Sequence, residues 1–416
     1  MFPDDIKYKD YVQEIYNTFS PLSWLLKIFS LDCHCPKDTT KLTPSYWAKI
    51  RSAITAVFLA CINLFTLYYK FIYFYQDLLI SVKYTDVVQM VYDLFQYMVD
   101  LYFVYKYGSD VFYEYIRQYA YIDGMLGMKY YSRIKRRLIK TIICIITMWI
   151  SSSLCDNIIW GIGVGWVETF GFSLAYIYML IKILTNLHLT LHVMHIGSRL
   201  RVIGDWVQEC YCASLSCCPK IEDTVMKKNW FYSHKTKTST SKLYPSKSIT
   251  FMNCCDVKLL SRCYLLLTEQ VNFINKIFGM RILLNCLSLL IDMVRFTNLT
   301  VRVLMGTQHT GYAYAFYPAI STFWRSLTSA IVIVSLVNHC EDTYRQRERV
   351  ISLVEHLIIN RNLDENMLAA FNEFRSLVNS QPINFHMPNF MRLDYPLLVS
   401  ITSVFVTYTI ILLQSI

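Results

Sequence analysis

The stretch PLLVSITSVFVTYTIILLQSI, residues 396–416, holds no Asp, Glu, Lys, Arg or His. About 20 residues at helical rise match a ~30 Å hydrocarbon core, so the stretch predicts a helix that spans a membrane. The polypeptide stops two residues after Gln414, and essentially no external tail is expected. Ser400, Ser403, Thr407 and Gln414 follow helical offsets that place them along one stripe. A lone helix in lipid gains nothing from such a stripe, which therefore predicts contact with protein or water.

Working outward, the whole chain has the same character. It has 416 residues, 54% of them hydrophobic and only 17% charged, with a mean hydropathy of +0.32. That is too apolar for a water-soluble protein of this size and predicts a polytopic, all-α membrane protein. The beginning, Met1-Phe2-Pro3-Asp4-Asp5, lacks a basic region followed by an apolar one, so no cleaved signal peptide is expected. Further apolar runs lie near Ile54 to Tyr75, Thr85 to Tyr105, Leu138 to Trp160, Ile162 to Leu184, Met280 to Val303 and Tyr317 to Val337. With Leu393 to Ile416 they make seven spans.

Lys and Arg are divided unevenly between the connections. The first segment holds Lys7, Lys9, Lys27, Lys37, Lys41, Lys49 and Arg51, and the second-to-third connection Arg117, Lys129, Arg133, Lys135, Arg136, Arg137 and Lys140. The fourth-to-fifth connection is also basic, whereas the alternate side offers Lys83 and little beyond Arg302. Positive residues stay cytoplasmic, which predicts an inside N-terminus and an outside C-terminus. The formal charge of +10 is then mainly a topology signal, with anionic lipid headgroups rather than nucleic acid as its partner.

The cysteines follow the same division. Cys33, Cys35, Cys210, Cys212, Cys217, Cys218, Cys254, Cys255, Cys263 and Cys340 fall on the cytosolic side, and Cys155 alone lies near the outer surface. No external disulfide framework is expected. The sequon Asn298-Leu299-Thr300 falls at the outer end of the fifth span, close to the bilayer.

Residues 1–50 are read as a cytoplasmic segment and residues 51–340 as six spans, with a flexible cytoplasmic loop near 219–248. In residues 341–392, Val350, Ile351, Val354, Leu357 and Ile358, then Leu368, Phe371, Phe374 and Leu377, form amphipathic stripes. These predict helices packed in a cytosolic anchor layer. Residues 393–416 form the last span.

Gln89, Asp93, Gln96 and Asp100 repeat at helical spacing, so all four share one face of the second span. A carboxylate near mid-bilayer costs about 2.5–3.5 kcal/mol, which keeps this face away from lipid. It lines a wet ligand cavity or ion path, or it joins an internal network with partners such as Arg325 or Arg295. In the outer half, Trp149, Asp156, Trp160, Tyr176, Tyr317, Thr322, Trp324 and Arg325 mix aromatic and polar groups. An interfacial aromatic belt accounts for part of this, and a mostly apolar pocket with convergent polar groups accounts for the mixture.

His188, His192 and His195 share a helix face, but no acidic partner accompanies them, which favours packing over metal binding. Cys210-Tyr-Cys212 and Cys217-Cys218 lack paired zinc spacing. No P-loop, Rossmann glycine set, G-x-S-x-G or H-E-x-x-H occurs. No catalytic residue, metal or cofactor is therefore expected.

Thr407-Tyr408-Thr409-Ile410-Ile411-Leu412-Leu413-Gln414 resembles the terminal signature of insect gustatory receptors: Thr-Tyr, five apolar residues, Gln-Phe. Leu393-Asp394 and Leu397-Leu398 resemble the start of the family's last helix, and length, span count and inverted topology also fit. Ser415 stands where the family has Phe, and Thr409 where many sugar-sensing members have Glu. The resemblance implies a ligand-gated, non-selective cation channel in the plasma membrane of sensory neurons. It implies a homotetramer, alone or with other receptor chains, in which Ser400, Ser403, Thr407, Ile411 and Gln414 line one pore. The ligand is expected to be a small extracellular tastant, a bitter or plant secondary compound ahead of a fructose-type sugar. A solute transporter using Asp93 and Asp100 for a coupled ion is the alternative outside this class, but 12 Gly and 10 Pro, few of them mid-span, argue against broken helices.

Overall fold

The computed structural model describes residues 5–32, 46–73, 75, 80–107, 109–127, 131–163, 165–216, 254–306, 316–360, 363–388 and 391–414. The loop near 219–248, Cys33, Cys35, Cys217, Cys218 and Ser415 lie outside the described residues. The described chain is helical almost throughout. Its helices are α1 Asp5–Ile28, α2 Tyr46–Tyr73, α3 Ile80–Tyr107, α4 Ser109–Leu126, α5 Tyr131–Gly163, α6 Trp166–Phe172, α7 Leu174–Ser216, α8 Cys254–Leu304, α9 Phe316–Asn360, α10 Glu365–Ser380 and α11 Tyr395–Gln414. Between α10 and α11, β1 His386–Met387 pairs antiparallel with β2 Met391–Arg392.

Six of the seven expected spans each fall on a single helix, apart from a few terminal residues. Five of the described helices, α2, α5, α7, α8 and α9, are long and apolar enough to cross a membrane. The 28-residue α3 is long enough but is interrupted by Asp86, Asp93 and Asp100, and α11 is apolar over Tyr395–Ile411. The fourth span requires one correction. Ile162 and Gly163 end α5, and the chain leaves the helix at Gly165 before the short α6. Gly165 there adopts φ 130°, a conformation costly for any residue with a Cβ.

The chain divides into two compact units. The first comprises residues 1–198, 267–344 and 383–416. Its interior is rich in charge, with Asp86, Asp93, Asp100, Lys70, Lys182 and Arg281 all buried. Its exterior is apolar: Val57, Phe58, Phe65, Phe95, Ile143, Phe170 and Phe323 are each more than half exposed. This distribution suits a solvent of hydrocarbon, in which internal polar groups must satisfy one another. α1 was not foreseen as a helix, yet it buries Ile15, Phe19, Leu22 and Leu26, with Phe19 edge-on to Phe112 of α4.

The second unit comprises residues 199–266 and 345–382. Its core is Val257, Leu260, Tyr264, Val350, Leu353, Val354, Leu357, Phe371, Phe374 and Val378; of the amphipathic stripes, Val350, Val354, Leu357, Phe371 and Phe374 are buried and Ile351, Ile358, Leu368 and Leu377 half-buried. The Tyr264 hydroxyl donates to the Gln381 carbonyl at 2.9 Å, and Arg349 pairs with Asp205 at 2.9 Å.

Candidate functional site

Within the first unit, α3 carries the residues that organise its interior. From Asp86 to Asp100 the helix rises about 21 Å, and Asp86, Gln89, Asp93, Gln96 and Asp100 each have at least one side-chain partner. The Asp86 carboxylate meets Lys70 of α2 at 2.9 Å, the Tyr75 hydroxyl at 2.7 Å and the Arg295 guanidinium. Lys182 of α7 sits between Asp93 at 2.7 Å and Asp292 of α8 at 2.6 Å. Ser288 and Gln89 donate to the same Asp93 oxygen at 2.9 and 2.6 Å. Gln96 donates to Asn285 at 2.9 Å, and Asp100 accepts from Arg281 at 2.7 Å and Thr185 at 3.2 Å.

Four charged clusters result, in which five carboxylates face five cations once Asp156 and Arg325 are included. An unpaired charge in this setting is strongly unfavourable, so the balance is a condition for folding. The partners differ from those expected. Arg295 pairs with Asp86 and Arg325 with Asp156, whereas Asp93 and Asp100 are held by Lys182 and Arg281. The rotation of each helix decides which cation reaches α3, and spacing within α3 alone does not contain that information.

The fourth cluster joins α5, α7 and α9. Asp156 accepts from Arg325 at 2.9 Å, the Tyr176 hydroxyl at 2.8 Å and the Ser321 hydroxyl at 3.0 Å. The Arg325 guanidinium lies over the rings of Tyr176 and Phe296, 4.2 and 4.3 Å from their centres. Trp149 donates its indole N–H to the Tyr176 carbonyl at 3.1 Å. Four of the sequence candidates, Trp149, Asp156, Tyr176 and Arg325, are thus brought together. Thr322 is buried beside them but donates to the Pro318 carbonyl at 2.6 Å. Trp160 is half-buried, and Tyr317 and Trp324 are exposed, as an aromatic belt requires. Ser321 was missed, because a lone serine on an apolar helix carries no distinguishing pattern.

Replacing Tyr176 by phenylalanine removes one hydrogen bond to a buried carboxylate. A loss of about 1.5–3 kcal/mol is expected, read as a lower midpoint in thermal unfolding of the purified protein. An unchanged midpoint would mean that Ser321 and Arg325 satisfy Asp156 without it.

α11 begins on Asp394, whose side chain accepts from the Leu397 amide at 3.2 Å and so caps the first turn. Leu398, Ile401, Phe405, Tyr408 and Thr409 are half-buried. At about 100° per residue they span a sector of about 100°. Ser400, Ser403, Thr407, Ile411 and Gln414 are exposed and fall within about 80° on the far side of the helix. The signature tyrosine therefore points toward the chain and the polar stripe away from it.

The histidines of α7 pack among aromatic rings. His192 and His195 lie 5.2 and 5.0 Å from Phe19, and His192 Nδ1 is hydrogen-bonded to the Tyr115 hydroxyl at 2.8 Å. Among the described residues no group of three or more His, Cys, Asp or Glu is placed to hold a metal ion. Asn298 is buried and accepts from Arg302 at 2.9 Å, which makes its sequon a poor glycosylation acceptor.

These observations define a helical membrane protein with a charge-balanced interior and one helix that turns a polar stripe outward. The sequence pattern of the 7tm Chemosensory receptor family matches residues 19–416, and the chain belongs to that family, a receptor class rather than an enzyme class. The fold is that of the insect olfactory receptor OR5 from Machilis hrabei, with a TM-score of 0.61 and 10% identity over 98% of this chain and 100% of that one. The structure of the same receptor in complex with eugenol matches over the same shares, with a TM-score of 0.54 and 10% identity. No curated protein matches the sequence.

Proposed function

We propose that the chain is a gustatory receptor acting as a ligand-gated, non-selective cation channel, opened by a small extracellular tastant of the bitter or plant secondary type. Four copies enclose one pore in the plasma membrane of a sensory neuron, with each N-terminus inside and each C-terminus outside. The observation that carries this reading is the exposed polar stripe of α11. In a lone subunit these hydroxyl and amide groups would face hydrocarbon, and a shared axis gives them water. Ser400, Ser403 and Thr407 wet the conduit, Ile411 narrows it, and four copies of Gln414 form a polar ring at the outer mouth.

The tastant site is assigned to the outer half of the bundle, beside Trp149, Tyr176 and the Asp156–Arg325 pair. Its aromatic walls suit a small, largely apolar compound, and the fold relative that carries eugenol supports a ligand of that kind. Thr409, where many sugar-sensing receptors have Glu, favours the bitter class over sugars. Ligand opens the gate by binding more tightly to the arrangement in which the last helices stand apart.

The test is expression of this chain alone under voltage clamp, with a screen of alkaloids, glycosides and sugars. A tastant-evoked cation current is expected, and Gln414→Ala is expected to change relative permeability or basal leak. Currents indifferent to every substitution at Ser400, Ser403, Thr407, Ile411 and Gln414 would remove the pore assignment.

A further inference from the structure

The first turns of α5 carry five basic residues in eight: Arg133, Lys135, Arg136, Arg137 and Lys140. A topology signal needs only their number, yet their placement is more specific. Arg133, Arg136, Arg137 and Lys140 stand at i, i+3, i+4 and i+7, on one face, and all four are exposed. The opposite face, Tyr131, Ile134, Leu138, Ile142 and Ile145, is buried. Among the described residues only Arg137 has a carboxylate partner, Asp342 of α9 at 2.8 Å.

Four like-charged neighbours at i, i+3 and i, i+4 therefore oppose the helix, and one carboxylate does not offset them. The same helical face continues upward as Cys144, Thr147, Leu154 and Ile158, all exposed, with Ile143 and Ile150 beside it. Cations at the base of an exposed apolar face match an amphiphile with a multiply anionic head and acyl tails. We infer that this stripe binds the phosphorylated headgroup of an inositol phospholipid in the inner leaflet, its acyl chains lying along α5. The density of charge favours several phosphates on one headgroup over the single charge of phosphatidylserine. The inference rests on the proposed orientation, which puts the start of α5 at the cytosolic surface.

The test uses the full chain in phosphatidylcholine nanodiscs containing a long-chain phosphatidylinositol bisphosphate, read by native mass spectrometry or fluorescent-lipid titration. The triple variant Arg133→Gln, Arg136→Gln, Lys140→Gln leaves the Arg137–Asp342 pair intact. At roughly fivefold per charge it is expected to bind about a hundredfold more weakly. A control that removes equal charge at the exposed Lys49, Lys106 and Lys276 of other helices is expected to bind as the parent does. Equal losses in both variants would show diffuse attraction and overturn the site. Soluble inositol trisphosphate that binds as tightly as the lipid would overturn the lipid assignment, and phosphatidylserine that binds equally would overturn the headgroup. Orientation is read separately, by labelling a cysteine placed at Arg136 from outside intact cells. Labelling there would sink the topology while leaving the nanodisc result to stand or fall on its own.

Discussion

Lys182→Met is expected to remove most of the folded receptor. The Lys182 ammonium is 2% exposed and lies 2.7 Å from Asp93 and 2.6 Å from Asp292. Without it two carboxylates face each other in the bundle interior, and among the described residues neither has a second cation within ion-pair distance. Breaking a buried pair by removing one member costs about 3–5 kcal/mol, a large share of the roughly 5–15 kcal/mol that holds a domain folded. The monodisperse peak in fluorescence-detected size exclusion should shrink, and what remains should melt earlier. Adding Asp93→Asn and Asp292→Asn to Lys182→Met removes the stranded charges while keeping side chains that can still hydrogen-bond to Ser288 and Gln89. That triple variant is expected to recover much of the peak. If Lys182→Met alone matched the parent, the charge balance would have no role in stability.

The same cluster shows what one helix discloses about a fold and what it withholds. The shared face of Gln89, Asp93, Gln96 and Asp100 was legible because it depends only on helical spacing, as was the stripe from Ser400 to Gln414. Asp292 shares helical spacing with Arg281, Asn285, Ser288 and Arg295 in the fifth span, a second polar face that marks it as internal, whereas Lys182 sits alone in an apolar stretch of the fourth. Their roles follow from the rotation of α7 and α8 toward α3, a property of packing. Arg295 and Arg325 were correctly placed among internal partners but matched to the wrong carboxylates for the same reason. α4 lay hidden in a connection read for its charge, although it buries Phe112, Tyr115, Ile116 and Tyr119 at helical intervals. The residues around Asp156 were found by composition, and only the structure separates those that converge from Tyr317 and Trp324, which face outward.

Tyr344→Ala is expected to raise the basal current strongly, because Tyr344 fixes the segment from which the proposed pore helix starts. Its hydroxyl accepts from the Phe385 amide at 3.0 Å and donates to the Phe385 carbonyl at 3.3 Å. Its ring stacks on Phe385, and the Arg392 guanidinium lies 3.9 Å from its centre. The hairpin so held also rests on α8, where Asn275 donates to the Asn384 carbonyl at 2.8 Å and accepts from the His386 amide at 3.1 Å. Gly279 permits that approach, since a Cβ there would stand 3.2 Å from the His386 carbonyl. Burial and the neighbouring Arg392 keep the His386 imidazole below its ordinary pKa, so the hairpin carries little extra charge near neutral pH. From this base Tyr395 reaches Glu341 and Asn338 at 3.2 and 3.1 Å, and α11 begins. Truncating a buried tyrosine costs about 3–5 kcal/mol, and each 1.4 kcal/mol that reaches the gate changes an open-to-closed ratio about tenfold. If half the loss falls on the closed state alone, leak rises by more than about tenfold. Tyr344→Phe keeps the ring stack and Arg392 and loses only the hydroxyl, about 1 kcal/mol, so its leak should stand between parent and Tyr344→Ala. Leak per surface receptor measured across the three chains tests this order. An Ala variant that reaches the surface in full yet leaks no more than the parent would show that the hairpin does not govern the gate.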